Sequence, residues 1–149
     1  MEIKPYTKER IPDVLQFERD LRAEENFWGW DIDEKYIADV TDSFEKPSFS
    51  SSLSLLAYLD SKVVGRIDCA LLHSHFDGSV KAYLDWICVI KSYRHRGVAQ
   101  ALMTALRQEL KGRGLDTLIG LIDSNKDAQR FYRHLPNAEI KDEGIWIDL

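Results

Sequence analysis

Apolar and polar positions along this chain change period several times, and each change marks an element. Residues 3–6 fit a short first strand. From Pro12, a residue tolerated in a first helical turn, Val14, Leu15, Phe17 and Leu21 form one apolar stripe and predict a helix. Residues 24–31 are polar and aromatic without a period. Asp31-Ile32-Asp33-Glu34 then reads as a capping box opening a second helix through Tyr36, Ile37 and Val40, which stops before Pro47. Residues 48–52 form a serine-rich loop. Beyond it the period falls towards two: residues 53–59 and 62–72 predict strands joined at Asp60-Ser61, and Asp77-Gly78 marks the next hairpin turn. Residues 83–90 are apolar, rich in aromatic and β-branched side chains, with Asp85 as the only charge, and predict a buried strand.

The period then returns to that of a helix. Val98, Ala101, Leu102, Ala105, Leu106 and Leu110 share one face, and the helix stops at Gly112 to Gly114. Residues 115–122 predict another apolar strand. Ser124-Asn125-Lys126-Asp127 reads as a capping box for a helix carrying Ala128, Phe131, Tyr132 and Leu135. Residues 138–141 and 145–149 predict a closing hairpin around Glu143-Gly144. The order is β-α-α-β-β-β-α-β-α-β-β, an α/β chain built on one mixed sheet, without repeats or low-complexity segments.

Composition narrows the function classes. The 149 residues make a single domain, 1–149, long enough to bury a core. No apolar run reaches the length of a membrane span and no signal peptide opens the chain, so a cytoplasmic protein without membrane contact is expected. Cys69 and Cys88 follow no metal or redox spacing, and reduced thiols are the expectation. A net charge of −5 argues against nucleic acid as a partner and suits a cationic small molecule. Nothing in the pattern fixes an oligomeric state, and a homodimer stays open.

The chemistry concentrates where the strand at 83–90 turns into the helix behind it. Tyr93-Arg94-His95-Arg96-Gly97 is a basic turn with a glycine where the helix must begin. Such a turn presents free backbone N–H groups with the positive end of the helix dipole behind them, a geometry that binds phosphate. No Lys-Ser/Thr pair follows the glycine, as a P-loop needs, and a dinucleotide fingerprint needs more glycines. A basic turn without a ligand is the plainer account of the same residues.

Arg94-x-x-Gly97-x-Ala99 resembles the acyl-CoA pyrophosphate loop of the GNAT N-acetyltransferase superfamily. Asn125-x-x-Ala128-x-x-Phe131-Tyr132 resembles the segment that follows the fifth strand in that superfamily, and the element order is similar to the GNAT fold over essentially the whole chain. Many members continue from the tyrosine into a Gly-Phe pair. Here Pro136, Asn137 and Ala138 follow instead, a departure that bears on the last strands and the acceptor side.

The resemblance implies acetyl-CoA as co-substrate, no metal, strands four and five splayed apart, and direct attack of a primary amine in a ternary complex. The donor's pyrophosphate would sit on the backbone N–H groups of Arg96, Gly97, Val98 and Ala99, with His95 close by and Asn125, Ala128 and Tyr132 contributing from the later motif. Arg94 and Arg96 either add charge or are solvated surface. The pantetheine arm would pair with the main chain at Ile87, Cys88 and Val89, with an N–H near Val89 facing the oxyanion. Tyr132 would be the general acid for the leaving thiolate; its plainer account is a helix tyrosine packed beside Phe131.

Asp85 resembles the strand-four glutamate of some members and is the candidate base, with Asp85, Ile87 and Val89 on one face by strand parity. An aspartate at an exposed strand end, or bonded to a loop, explains it equally well. Asp123 is a second candidate. Glu24, Glu25, Phe27, Trp28, Trp30 and Asp31 lie in the stretch that often walls the acceptor site in this family, and acids among aromatic rings suit an ammonium group. Capping by Asp31 and aromatic packing are the blander account. Cys88 has no basic partner in the sequence and reads as a small buried residue, not a nucleophile. His73-x-His75-x-Asp77 has ligand types at one turn, but no second cluster completes a metal site. The region from Tyr83 to Ala99 is similar to that of aminoglycoside-type acetyltransferases, which implies an aminoglycoside or other polyamine-like acceptor. A protein or peptide amine acetyltransferase is an alternative, and so is a catalytically silent acyl-CoA-binding sensor module.

Overall fold

In the computed structural model, residues 1–25, 31–141, 144, 145 and 147 are described. The elements are β1 (Glu2–Pro5), α1 (Ile11–Glu24), α2 (Glu34–Ser43), β2 (Ser52–Leu59), β3 (Lys62–His73), β4 (Val80–Val89), α3 (Val98–Gly112), β5 (Leu118–Gly120) and α4 (Lys126–Arg133). The strands form one mixed sheet in the order β1-β2-β3-β4-β5. β1 to β4 pair antiparallel, while β5 runs parallel to β4, with the Ala82 N–H donating to the Thr117 carbonyl at 3.0 Å. The β2–β3 turn has positive φ at both Asp60 and Ser61, 49° and 63°, the twist that a two-residue hairpin requires.

Adjacent residues of β3 show where the helices lie. A Cβ placed on Gly65 would meet Val98 Cγ1 at 2.8 Å and Leu102 Cδ1 at 3.1 Å, so this face carries α3. The next residue, Arg66, faces the other way and pairs with Glu18 of α1. The glycine thus lets α3 settle on the sheet directly behind the start of that helix. On the α1 side Val14, Phe17 and Leu21 pack with Leu56, Tyr58, Val63 and Ile90, and Trp86 and Cys88 close against them. The Tyr36 hydroxyl of α2 donates to both carboxylate oxygens of Glu18, at 2.8 and 2.9 Å. Burial pushes the Glu18 carboxyl above its ordinary value, in spite of that bond and the nearby Arg66.

Two register shifts interrupt the ladders. Ala57 pairs with Gly65 and Tyr58 with Val63, which leaves Val64 as the extra residue of β3. Asp68 pairs with Trp86 and Cys69 with Leu84, which leaves Asp85 as the extra residue of β4.

Three expectations change. The fifth strand was expected over residues 115–122 and is Leu118–Gly120, because the end of α3 takes its first residues. Gly114, at φ 77°, donates to Lys111 and Leu115 to Leu110, the paired bonds of a glycine-capped helix terminus. The helix caps also shift. Asp33, not Asp31, accepts the Tyr36 N–H at the start of α2, and Asn125, not Ser124, accepts the Ala128 N–H at the start of α4. Of the closing hairpin, residues 138–141 form no strand, and its second half lies largely outside the described residues.

The chain divides into a unit of residues 1–119 and a unit of residues 120–149. Every buried hydrophobic side chain found among the described residues falls between Ile11 and Leu110, inside the first unit. No helix among the described residues is long and apolar enough to cross a membrane.

Candidate functional site

The end of β4 positions the site. Ile90 donates its N–H to the Val64 carbonyl at 3.0 Å, so the N–H and C=O of Val89 turn away from β3 by the alternation of an antiparallel ladder. Ile87, two residues earlier, turns its main chain the same way. On that side β5 is only three residues long against ten for β4, so among the described residues no strand pairs with most of the outer edge of β4. Hydrogen-bonding groups on such an edge are available to an extended ligand.

The bulge corrects the strand-parity argument for Asp85. Parity alone would set Asp85 with Ile87 and Val89, but the extra residue resets the alternation between Leu84 and Trp86. Asp85 is therefore an exposed, unpaired residue at the bulge, while Trp86 and Cys88 face α1. Burial pushes the Cys88 thiol up to about 11, in spite of Arg94 nearby. At neutral pH it is a protonated packing residue, not a nucleophile.

Beyond Val89 a short 3₁₀ turn, Lys91–Tyr93, leads into the basic turn. His95 and Gly97 both have positive φ, 60° and 78°, and α3 starts at Val98 with Gly97 as its N-cap. Nothing lies within 4 Å of the place a Gly97 Cβ would occupy. Residues in such left-handed conformations curl successive N–H groups into a concavity that holds an anion, and the first turn of α3 adds its own unpaired N–H groups. A pyrophosphate fits this turn by that test. Arg96, exposed, lies over the Tyr93 ring with its guanidinium carbon 5.2 Å from the ring centre.

Arg94 does something the sequence did not suggest. Its Nε donates to the Val89 carbonyl at 3.1 Å, and its two terminal nitrogens donate to the two oxygens of Glu25 at 2.8 and 2.7 Å. Beside it, the Glu24 carboxylate accepts both the N–H and the hydroxyl of Ser92, at 2.8 and 2.7 Å. The last residue of α1 and the one after it thus tie down the turn that follows β4. Glu25 was expected to face an acceptor and here faces Arg94. Trp28 and Trp30 lie outside the described residues, and Asp31 is exposed ahead of α2.

In the second unit, Asn125 caps α4 by accepting the Ala128 N–H at 2.8 Å, and Asp123 in turn accepts the Asn125 N–H at 2.8 Å. The expected second base is thereby engaged as a turn-former. Tyr132 is half-buried, its ring edge-on to Phe131 at 5.2 Å, and burial raises its hydroxyl above the ordinary phenol value. It is a proton donor over the whole neutral range. His73 and His75 are exposed, Asp77 accepts the Ser79 N–H, and no three His, Cys, Asp or Glu side chains converge among the described residues.

Sequence reasoning passed over Ser92, whose partner lies 68 residues away and leaves no local signal. It also passed over Arg66 and Asp68, where a signal did exist: two charges at period two inside an apolar strand. Arg66 donates to Asp68 at 3.0 and 2.9 Å and lies over the rings of Tyr6 and Trp86.

Residues 15–135 match the model of the acetyltransferase (GNAT) family. No curated protein matches the chain. Among solved structures, an aminoglycoside acetyltransferase, meta-AAC0020, from an uncultured soil metagenomic sample, in complex with trehalose, is 21% identical with a TM-score of 0.80, over 99% of this chain and 95% of that one. AAC(6')-Iy in complex with the bisubstrate analogue CoA-S-monomethyl-acetylneamine is 21% identical with a TM-score of 0.78, over 99% and 97% of the two chains. A ribosomal-protein-alanine N-acetyltransferase from Brucella melitensis biovar Abortus 2308 is 17% identical with a TM-score of 0.75, over 100% and 99%. At these identities the likeness is one of fold.

Proposed function

This chain belongs to the acetyltransferase (GNAT) family, and from that premise we propose that it transfers an acetyl group from acetyl-CoA to a primary amine of a small cationic acceptor, an aminoglycoside or polyamine-like molecule. The observation that carries the reading is the turn at His95 to Gly97. Its left-handed backbone runs into the start of α3 directly after a β4 edge that no described strand pairs along most of its length. That sequence of features offers an anion-binding concavity for the pyrophosphate of the donor and main-chain groups for its pantetheine arm.

The donor supplies a thioester, whose acyl carbon is open to a neutral amine. The backbone N–H groups of Arg96, Gly97, Val98 and Ala99 hold the diphosphate, with Asn125 and Ala128 shaping the turn that precedes Tyr132. Ile87, Cys88 and Val89 present the main chain along which the arm lies. The Val89 N–H, directed away from β3, is the donor for the developing oxyanion. An amine with a pKa near 10.4 is neutral in only about one molecule in a few thousand at pH 7, so a base close to the acceptor raises the rate. Asp85 fills that role directly or through a water, since the bulge leaves it exposed and without a ladder partner. As the C–S bond breaks, Tyr132 gives its proton to the thiolate. The protonated Cys88 supports direct attack over a covalent acetyl-cysteine.

The acceptor assignment draws on the acidic net charge of −5 and on several similar structures being aminoglycoside acetyltransferases, one of them in complex with sisomicin. Calorimetry with acetyl-CoA followed by a thiol-release screen tests both halves. Binding of acetyl-CoA together with turnover on aminoglycosides or polyamines is expected. Absence of CoA binding removes the whole reading, and turnover only on peptide amino termini replaces the acceptor class.

A further inference from the structure

We propose that Arg94, the first residue of the donor-loop motif, is a positioning residue and not a ligand of the donor's phosphates. With Glu25 it fixes the Val89–Ile90 peptide, and with that peptide the place of the thioester. The proposal rests on the acetyl-transfer reading and assigns Arg94 and Glu25 a role different from the one their motif or composition suggests.

The geometry carries it. The guanidinium is held on two sides, with its fork on both oxygens of Glu25 and its Nε on the Val89 carbonyl. The peptide between Val89 and Ile90 is consequently fixed at both ends: the carbonyl by Arg94, the N–H by the Val64 carbonyl of β3. This is the last peptide of the strand edge along which the pantetheine arm is proposed to lie. Through the Val89 Cα this peptide adjoins the one that carries the Val89 N–H, so the Arg94 bond restrains the ψ of the residue that presents the oxyanion donor.

Charge argues the same way. The Glu25–Arg94 side chains are 19% and 32% exposed, and a bidentate pair at 2.7 Å cancels the field of the guanidinium a few ångströms away. Moving Arg94 to a pyrophosphate would leave the partly buried Glu25 carboxylate unpaired beside a second anion, a penalty that the pair as it stands avoids. The adjacent pair of bonds from Glu24 to Ser92 holds the same turn from the same helix end, so the tie has two independent fastenings.

The two roles predict opposite signs for one substitution. If Arg94 were a phosphate ligand, Glu25→Gln would release it and tighten acetyl-CoA binding. As a positioning pair, Glu25→Gln and Arg94→Gln should each lower kcat by about tenfold, shift the dissociation constant of CoA by less than about threefold, and together do little more than the worse single change. The loss should be equal with S-acetylpantetheine, which has no pyrophosphate. Arg94→Lys, which keeps the charge but cannot make both contacts, should recover part of kcat and serves where a glutamine variant fails to fold. Tighter CoA binding by Glu25→Gln overturns the proposal. So does an Arg94→Gln penalty that vanishes with S-acetylpantetheine. Calorimetry with CoA and with pantetheine reads the sign without any acceptor, so a failure here is distinguishable from a failure of the acetyl-transfer reading.

Discussion

Burial acts on Tyr132 and Cys88 in the same direction, and that direction suits the first to the proposed proton donation and the second to packing. Both are raised above their ordinary values by loss of solvent, Cys88 to about 11, and so both stay protonated at neutral pH. A general acid needs its proton, whereas a nucleophile must lose one. Tyr132→Phe is therefore expected to lower kcat by about 10²-fold or more with little change in acetyl-CoA affinity. Because the Tyr132 hydroxyl is shifted upward, no loss of activity from its ionisation should appear below the ordinary phenol value of about 10 in a kcat–pH profile. A descending limb well below that value and absent in the phenylalanine variant would show that burial does not raise the Tyr132 hydroxyl, and one retained in that variant would assign the acid to another group. Cys88→Ala should keep turnover within about fivefold, and Cys88 should resist iodoacetamide at pH 7, where a thiol of this pKa is thiolate in only about one molecule in 10⁴. Rapid alkylation with loss of turnover would reopen the acetyl-cysteine route. Both residues were visible in the sequence as types and positions. Their protonation was not, because it depends on solvent exclusion by residues distant in the chain.

At the scale of elements, Gly65 joins the sheet to the turn that opens α3. Its missing side chain leaves room for Val98, the first residue of α3, and for Leu102 one turn later. Gly65→Ala should destabilise the protein by about 1–3 kcal/mol, since Val98 is β-branched and cannot swing aside, and the carbonyl of Cys88 blocks the other direction at 3.3 Å. The displaced helix start should also weaken acetyl-CoA binding; thermal melting and calorimetry on the same variant read the two effects. An alanine variant with unchanged melting and affinity would mean that α3 is not seated there. The element order was legible from periodicity because each strand and helix buries one face. The boundaries at 115–122 and the parity of β4 were not. A helix cap that extends to Leu115 and one extra residue at Asp85 are settled by hydrogen bonds, and neither leaves a hydrophobic pattern.

For the molecule as a whole, buried apolar area is concentrated in residues 1–119, and none of the described side chains of residues 120–149 belongs to the buried core. Amides of α4 should accordingly exchange with solvent faster than those of β2, β3 and α3, because local opening there exposes little apolar surface. Acetyl-CoA should slow exchange at both Val98–Ala99 and Asn125–Tyr132 if the two sequence motifs serve one ligand. Protection confined to the first would remove Asn125, Ala128 and Tyr132 from the donor site. The family was legible because its two motifs are local, each a short run of neighbouring residues. The tie from Glu24 and Glu25 to Ser92 and Arg94 was not, since side chains about 68 residues apart can be matched only after the fold brings them together.

The surplus residue in β4 has a consequence for chain length. Deleting one residue from the middle of a central strand ordinarily turns every later side chain over. Asp85 is the exception: without it, Leu84 and Trp86 would become neighbours while each kept its partner, Cys69 and Asp68, and its face. A chain shortened by that one residue should fold, with circular dichroism and cooperative melting like those of the parent, yet turn over slowly. Such a shortened variant would separate what the sheet needs from what the reaction needs by subtraction instead of substitution.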